Sequence, residues 1–171
     1  IAAAITLGGL SKTYNGVPQE VMVTTLPADL PYTLTYDGSL VAPTNAGTYN
    51  VAVHIDTPAY EGAESATLTI EPANQTISVP AIGAKQIGDP PFAVSAAASS
   101  GLPVYIAVSG PATIVSGVLT LTGTGNVNLE LVQPGDENWN PAPSLHIGFP
   151  VGTADAALTL NRVALGLFFV I

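Results

Sequence analysis

This chain contains no cysteine and very little charge. Without cysteine there can be no disulfide, no thiolate metal ligand and no cysteine nucleophile. Charged residues make up 9% of the sequence, against roughly 25% in ordinary soluble domains. Three lysine or arginine residues stand against 12 acidic residues, for a net charge of -9. Such a surface cannot neutralise phosphates, which excludes nucleic acid as a partner.

Long hydrophobic runs and helical periodicity are also missing. The nearest candidate for a membrane span, residues 163–171, is far shorter than the roughly 20 apolar residues that a spanning helix needs. We therefore expect no membrane span, and the scarcity of lysine and arginine argues against binding to anionic lipid. Hydrophobic residues nevertheless make up 47% of the chain, which is ample material for a core.

What the chain does contain is a loose internal repeat. A strand that begins at a glycine leads through a polar turn to a second strand, and about eighty residues later the same order returns. The repeated pieces are 47–70 with 125–151, and 3–7 with 156–160, of which the last pair shares the pattern Ala-Ala-(Ile/Leu)-Thr-Leu. Tandem copies of one small unit are typical of structural or adhesive arrays rather than of a single catalytic pocket.

Short β-prone runs separated by Gly, Pro and Asn predict an all-β protein. Residues 21–24 and 49–55 alternate between apolar and polar side chains, so one face of each strand should pack and the other should be solvated. Asn15-Gly16 and Asp37-Gly38 predict tight turns, because their residues tolerate positive φ, and Ser116-Gly117 predicts another tight hairpin. The strands are predicted at 3–7, 20–25, 32–36, 48–55, 65–71, 76–79, 92–98, 104–108, 112–115, 118–122, 126–133 and 145–151.

The strands divide into two sets at Pro72, which cannot donate a ladder hydrogen bond and so ends one strand. The predicted fold is two tandem immunoglobulin-like β-sandwich modules, residues 1–72 and 73–152, followed by a hydrophobic β-strand tail, residues 153–171.

Six short segments of the sequence resemble motifs of known protein families. They lie at 10–16, 35–38 and 42–49 in the first module, and at 88–92, 97–104 and 109–113 in the second. The first set resembles the MBG ("mostly beta") repeat of bacterial surface adhesins, and the second resembles the companion bacterial immunoglobulin-like repeat. The resemblance implies extracellular β-sandwiches used in tandem at the bacterial cell surface, and it brings no catalytic residue to carry over.

Few residues suit catalysis or metal binding. His54 and His146 occupy comparable places in late strands of the two modules, each without a partner motif, and alternation predicts that both are exposed. The serines have no Gly-x-Ser-x-Gly setting; they are Ser11, Ser99 and Ser100. Since an enzyme needs a convergent set of titratable groups, we expect no enzymatic activity and no cofactor.

The acidic residues of the turns are expected to cap backbone N–H groups. They are Asp56, Glu61, Glu64, Asp136 and Glu137. An interdomain Ca²⁺ site is the less favoured alternative, because no EF-hand spacing is present. An isopeptide crosslink through Lys12 or Lys85 rests on residue availability alone.

Tyr60 and Trp139 lie at matching points of the two long turns. Each is expected to plug the end of its sandwich, and the alternative is an exposed ring that stacks on sugar.

The most specific functional hypothesis concerns the predicted tail. Residues 165–171 are uncharged and apolar on both faces, as a strand buried on both sides requires. Either the tail is a truncated third repeat or frayed end, or it completes the sheet of a neighbouring subunit. The residues assigned to assembly are Ala156, Leu158, Leu160, Val163, Leu165, Leu167, Phe168, Phe169, Val170 and Ile171.

The sequence therefore predicts a structural or adhesive extracellular module that polymerises head to tail with identical subunits, giving a cell-surface filament. The alternative is a carbohydrate-binding module of an adhesin, with surface glycans or a host or neighbouring cell surface as partner.

Overall fold

The computed structural model describes residues 1–154, and within them every regular element is a β-strand. The all-β prediction is confirmed. The ten residues assigned to assembly, and nearly all of the predicted tail, lie outside the described residues.

Two compact units share the chain. The first contains Ile1–Gln75 together with Pro134–Pro141, and the second contains Thr76–Gln133 together with residues 142–154. The predicted boundary at Pro72 lies three residues before the end of the first segment. The larger difference is Pro134–Pro141, which the sequence places inside the second module and the structure places in the first unit.

The first unit has six strands in two sheets. They are β1 (Ala4–Gly8), β2 (Ser11–Thr13), β3 (Met22–Leu26), β4 (Tyr32–Tyr36), β5 (Gly47–Ile55) and β6 (Ala63–Glu71). One sheet has the order β2-β6-β5-β4, and the other pairs β1 with β3. All neighbours are antiparallel except β2, which runs parallel to β6.

The core of the first unit follows the predicted alternation. Along β5, Val51, Val53 and Ile55 are buried while Asn50 and His54 are exposed. Val51 packs in one cluster with apolar residues of the neighbouring strands, chiefly Tyr36, Leu68 and Ile70. The period of two therefore assigns one face of the sheet to the core and the other to solvent.

The second unit has nine strands in three sheets. They are β7 (Ile77–Ser78), β8 (Lys85–Gln86), β9 (Phe92–Ala93), β10 (Ala97–Ala98), β11 (Tyr105–Ser109), β12 (Ala112–Val115), β13 (Val118–Leu121), β14 (Gly125–Val132) and β15 (Leu145–Gly152). The sheet orders are β8-β15-β14-β11, β12-β13-β9 and β7-β10. The core lies between them and centres on Leu119, Leu129 and Phe149.

The internal repeat is visible in the hairpins β5–β6 and β14–β15. Each hairpin starts at a glycine with positive φ, Gly47 at 153° and Gly125 at 131°, and each glycine pairs with an apolar residue of the returning strand. In each unit a short strand from earlier in the chain, β2 or β8, runs parallel to the last strand of the unit. Lys12 therefore pairs with Ile70, and Lys85 pairs with Val151.

The two units differ in the segment that leads into the hairpin. In the second unit this segment lies between β11 and β14 and forms β12 and β13, which join β9 in one sheet. In the first unit, residues 37–46 connect β4 to β5 without forming a strand, and within residues 1–154 β3 pairs only with β1.

Two of the three predicted turn dipeptides have positive φ at both residues, whereas at Asn15-Gly16 only Gly16 does, with a φ of 79°. Asp37 and Gly38 have φ of 47° and 83°, and Ser116 and Gly117 have φ of 49° and 78°. Two consecutive positive φ values define the turn that matches the twist of a two-residue hairpin.

Candidate interaction sites

The outer face of the four-stranded sheet in the first unit carries an open groove of about 430 Å³. Its lining includes Thr33, Thr35, Ala52, His54, Ala63 and Ser65. His54 is exposed, as alternation predicts. Glu64 also lines the groove, and most of the other side chains are small and uncharged.

One carboxylate at the end of this groove has two polar neighbours. The Thr33 hydroxyl donates to Asp56 Oδ2 at 2.6 Å, and His54 Nδ1 lies 3.3 Å from Asp56 Oδ1. The hydrogen bond from Thr33, followed by that from His54, lowers the pKa of Asp56 below its ordinary value. Because the carboxylate lies between the hydroxyl and the imidazole, His54 is not placed to take a proton from Thr33, and the trio is not a nucleophile–base–acid relay.

Replacing Thr33 by valine is expected to raise the pKa of Asp56 toward its ordinary value, since the largest cause of the shift is removed. The sign follows from linkage: a lowered pKa contributes stability above the ordinary carboxyl pKa, and that stability is lost as pH falls through the folded-state pKa. NMR titration of the Asp56 carboxyl carbon measures this directly. Thr35→Val is the matched control, because the Thr35 hydroxyl donates instead to the Ala52 carbonyl, and an equal shift in both variants would contradict the assignment.

The second unit has a comparable groove of about 370 Å³ on the outer face of β11, β14 and β15. His146 lines it, is exposed as predicted, and pairs across the strands with Glu130. The two histidines are nevertheless not equivalent, because His54 lies on the first strand of its hairpin and His146 on the second. The sequence interpretation that they occupy comparable places is therefore corrected.

The acidic turn residues do not form a metal cluster in the described part of the chain. Within residues 1–154 no group of three or more His, Cys, Asp or Glu side chains is placed to hold an ion. Asp136 instead accepts hydrogen bonds from the Asn138 and Trp139 N–H groups, both at 2.9 Å. For Asp136, the turn-capping interpretation is confirmed.

The segment Pro134–Pro141 is attached to the rest of the first unit through its backbone. The Ala73 N–H donates to the Asn138 carbonyl at 2.9 Å, and the Asn140 N–H donates to the Ala73 carbonyl at 2.8 Å. This is a parallel bridge in which Ala73 pairs with Trp139. The segment therefore extends the first unit by one short strand-like piece.

Side chains strengthen the attachment. Asn138 Oδ1 accepts from the Ala46 N–H at 2.7 Å, and Asn140 Nδ2 donates to the Pro72 carbonyl at 3.2 Å. The buried Gln75 donates through Nε2 to the Asn140 carbonyl at 2.8 Å. Each bond satisfies a polar group that would otherwise be costly to leave unpaired.

Trp139 is half-buried and its ring meets Tyr14 edge to face, with ring centroids 5.5 Å apart. The prediction that Trp139 plugs the end of the second sandwich is wrong, because its contacts lie in the first unit. Tyr60 is half-buried and pairs with Thr57 in a tight turn. The contact with Tyr14 and the partial burial of Trp139 reduce the ring area that is free to stack on a sugar.

The lysine and serine side chains considered as candidate sites make contacts within the fold. Lys85 Nζ lies 4.5 Å from the centre of the Phe92 ring. The hydroxyls of Ser99 and Ser100 accept hydrogen bonds from backbone N–H groups of Thr76 and Leu102. In residues 1–154 no lysine forms an ion pair with a carboxylate. No helix in the described part of the chain is long and apolar enough to cross a membrane.

Comparison with known proteins gives one family match. The model of the MBG domain family matches residues 3–74. No curated protein matches the sequence. Among solved structures, the chain is similar to human protocadherin-24 EC1-2, with 12% identity, coverage of 88% of this chain and 97% of that one, and a TM-score of 0.40.

Two further solved structures are also similar to the chain at low sequence identity. The immunoglobulin domains 1–5 of Sidekick-1 show 13% identity over 90% of this chain and 39% of theirs, with a TM-score of 0.32. Domains 4–9 of the surface layer protein SbsC show 13% identity over 88% of this chain and 31% of theirs, with a TM-score of 0.24. The family match supports the predicted MBG-type repeat, and residues 3–74 are accordingly similar to an MBG domain.

Proposed function

We propose that the chain is a structural, adhesive module of a bacterial cell-surface protein, built from two immunoglobulin-like sandwiches and without enzymatic activity. The observation that carries the proposal is the MBG family match across residues 3–74, which spans all six strands of the first unit. A surface poor in charge and a chain without cysteine are compatible with an exported repeat protein.

Strand order supports the immunoglobulin-like assignment of both units. The orders β2-β6-β5-β4 and β8-β15-β14-β11 each place the last two long strands beside a third strand, as the G, F and C strands are placed in an immunoglobulin sheet. In the second unit, β12-β13-β9 supplies part of the opposing sheet. Residues 73–152 are therefore proposed to be the bacterial immunoglobulin-like repeat.

Shallow grooves and scattered charges support a non-enzymatic role. Both grooves lie on open sheet faces, and the one contact in residues 1–154 between a histidine and a carboxylate, His54 with Asp56, joins exposed groups. An active site needs titratable groups that converge on a shielded cavity. The carbohydrate-binding alternative has less support because Trp139 packs on Tyr14. Binding to a glycan array that Trp139→Ala abolishes would favour that alternative.

The finer part of the proposal is a head-to-tail filament formed through residues 156–171. Burial of the apolar run 163–171 would remove several hundred Å² from water, on the order of 10 kcal/mol before ordering costs. Such a contact is heterologous and does not close, so it propagates as a fibre. At physiological salt, screening reduces the repulsion between subunits of charge -9.

Deletion of residues 163–171 is expected to abolish assembly and to leave both units folded, because all described strands end by Gly152. Sedimentation velocity across a concentration series measures the assembly, and far-UV circular dichroism measures the fold. The proposal would be contradicted by large particles that persist without residues 163–171, or by a full chain that stays monomeric throughout the series.

A further inference from the structure

The second strand of the first unit's smaller sheet has an open edge. Within residues 1–154, β1 is the only strand that pairs with β3. Just before β3, the Val21 N–H donates to the buried Tyr36 hydroxyl at 3.1 Å. Since successive amide groups of a strand point to opposite edges, those of Val23 and Thr25 share the direction of the Val21 N–H. The open edge of β3 therefore presents backbone groups away from β1.

The second unit shows which strand can fill this edge. There the counterpart of β3 is the segment 92–98, which pairs with β7 through β10 and antiparallel with β13 through β9, and β13 pairs with β12. In the first unit, residues 37–46 occupy the same point in the chain and contain no strand. One sheet position that is filled in the second unit is thus left without a strand in the first.

The open edge also lacks the usual protection against strand addition. Exposed edges are commonly protected by charged side chains, proline or a bulge. Residues Met22–Leu26 contain no charge and no proline, and they expose two large apolar side chains, Met22 at 69% and Leu26 at 72%. Such an edge is suited to receive a strand whose faces are apolar.

We propose that the open edge of β3 is the acceptor for residues 163–171 of a second copy, bound antiparallel as β13 is bound to β9. This inference rests on the proposed filament and names the surface that the donor strand occupies. The donor has nine uncharged residues, enough to cover the five residues of β3 and extend past both ends. Backbone hydrogen bonds give such strand addition its affinity, and apolar side chains give it its fit.

The charges near the ends of the donor segment and of β3 favour antiparallel binding. Arg162, one of only three lysine or arginine residues, directly precedes the donor. Antiparallel docking brings the start of the donor to the Leu26 end of β3, where Asp29 is exposed three residues later. In this arrangement Arg162 of the second copy meets Asp29 of the acceptor.

Disulfide crosslinking tests the contact without interference, because the chain has no cysteine of its own. Thr24→Cys, at the exposed centre of β3, is mixed with ¹⁵N-labelled variants that each carry one cysteine at a position from 165 to 169. Every second position is expected to give a covalent dimer, since neighbouring side chains of a strand lie on opposite faces. The control is Val118→Cys on β13, because Val118 is 42% exposed and is paired on both sides, with Val115 and with Ala93.

Equal crosslinking of the donor to both acceptor positions would overturn the proposal, and so would a donor that crosslinks to neither position. Donor and acceptor cysteines placed in one chain provide a further readout. If the resulting disulfide always closes within one chain, even at high concentration, the donor folds back and the proposal is wrong.

Charge on the acceptor gives an independent readout in the full chain. Met22→Lys with Leu26→Lys is expected to abolish assembly, because charged side chains on an edge oppose strand addition. The matched control is Tyr105→Lys with Val115→Lys, since these side chains are 63% and 72% exposed in the second unit and add the same charge. If the acceptor variant assembles as well as the control while deletion of 163–171 still abolishes assembly, the acceptor is wrong and the proposed filament stands.

Discussion

Replacing Gly135 by alanine is expected to lower the free energy of unfolding of the first unit by about 3 kcal/mol or more. Gly135 has a φ of 78°, and an added Cβ would lie 2.1 Å from the Trp139 carbonyl oxygen and 2.9 Å from the Asn140 carbonyl carbon. These are backbone atoms of a tight turn and cannot move aside as a flexible side chain can. The segment Pro134–Pro141 should therefore detach, with loss of its hydrogen bonds to Ala73 and of the Tyr14–Trp139 contact.

Trp139 is the only tryptophan, so its fluorescence reports the attachment of this segment during urea unfolding. The matched control is Gly16→Ala in the same unit, since Gly16 has a nearly equal φ of 79° but an added Cβ there meets nothing within 4 Å. It carries only the cost of the left-handed backbone, about 1–2 kcal/mol. Equal losses in the two variants would mean that the crowding at Gly135 contributes nothing.

Replacing Phe149 by alanine is expected to destabilise the second unit by about 3–5 kcal/mol. The side chain is 2% exposed, and its ring lies edge to face with Phe92 at 6.3 Å between centroids. Its removal leaves a cavity under β14 and β15 and withdraws support from the ring over which Lys85 lies. Hydrogen exchange of the β14 and β15 amides, measured by mass spectrometry, locates the loss.

Tyr105→Ala is the control for this change, since Tyr105 is a large aromatic residue of the same unit and is 63% exposed. Its loss should change stability by about 0.5 kcal/mol or less. Protection of the β14 amides that is unchanged by Phe149→Ala would contradict the assignment of this core.

The local sequence pattern is sufficient to predict the long strands. The prediction of 32–36 coincides with β4, and 48–55 misses β5 by one residue, because alternation and an adjacent turn signal fix these segments. The sequence does not predict the strands β2 and β8. They are three and two residues long, and they exist only because each pairs in parallel with a distant strand at the end of its unit. Nothing within so short a segment indicates that pairing.

Like the strands, the candidate sites include some that neighbouring residues predict and others that depend on residues far away in the sequence. The exposure of His54 and the capping by Asp136 depend on neighbours within a few residues, and the sequence predicts both. The place of Trp139 depends on hydrogen bonds to Ala73 and on a ring contact with Tyr14, far away in the sequence. The open edge of β3 likewise exists because residues 37–46 form no strand. Such features come from tertiary pairing, which a single sequence does not display.

Electron microscopy of the purified full chain, beside the variant that lacks residues 163–171, tests the proposed role most directly. We expect unbranched filaments from the full chain and separate single particles from the shortened one. Filaments of equal length and number from both proteins, or single particles alone from the full chain at every concentration, would contradict assembly through this segment.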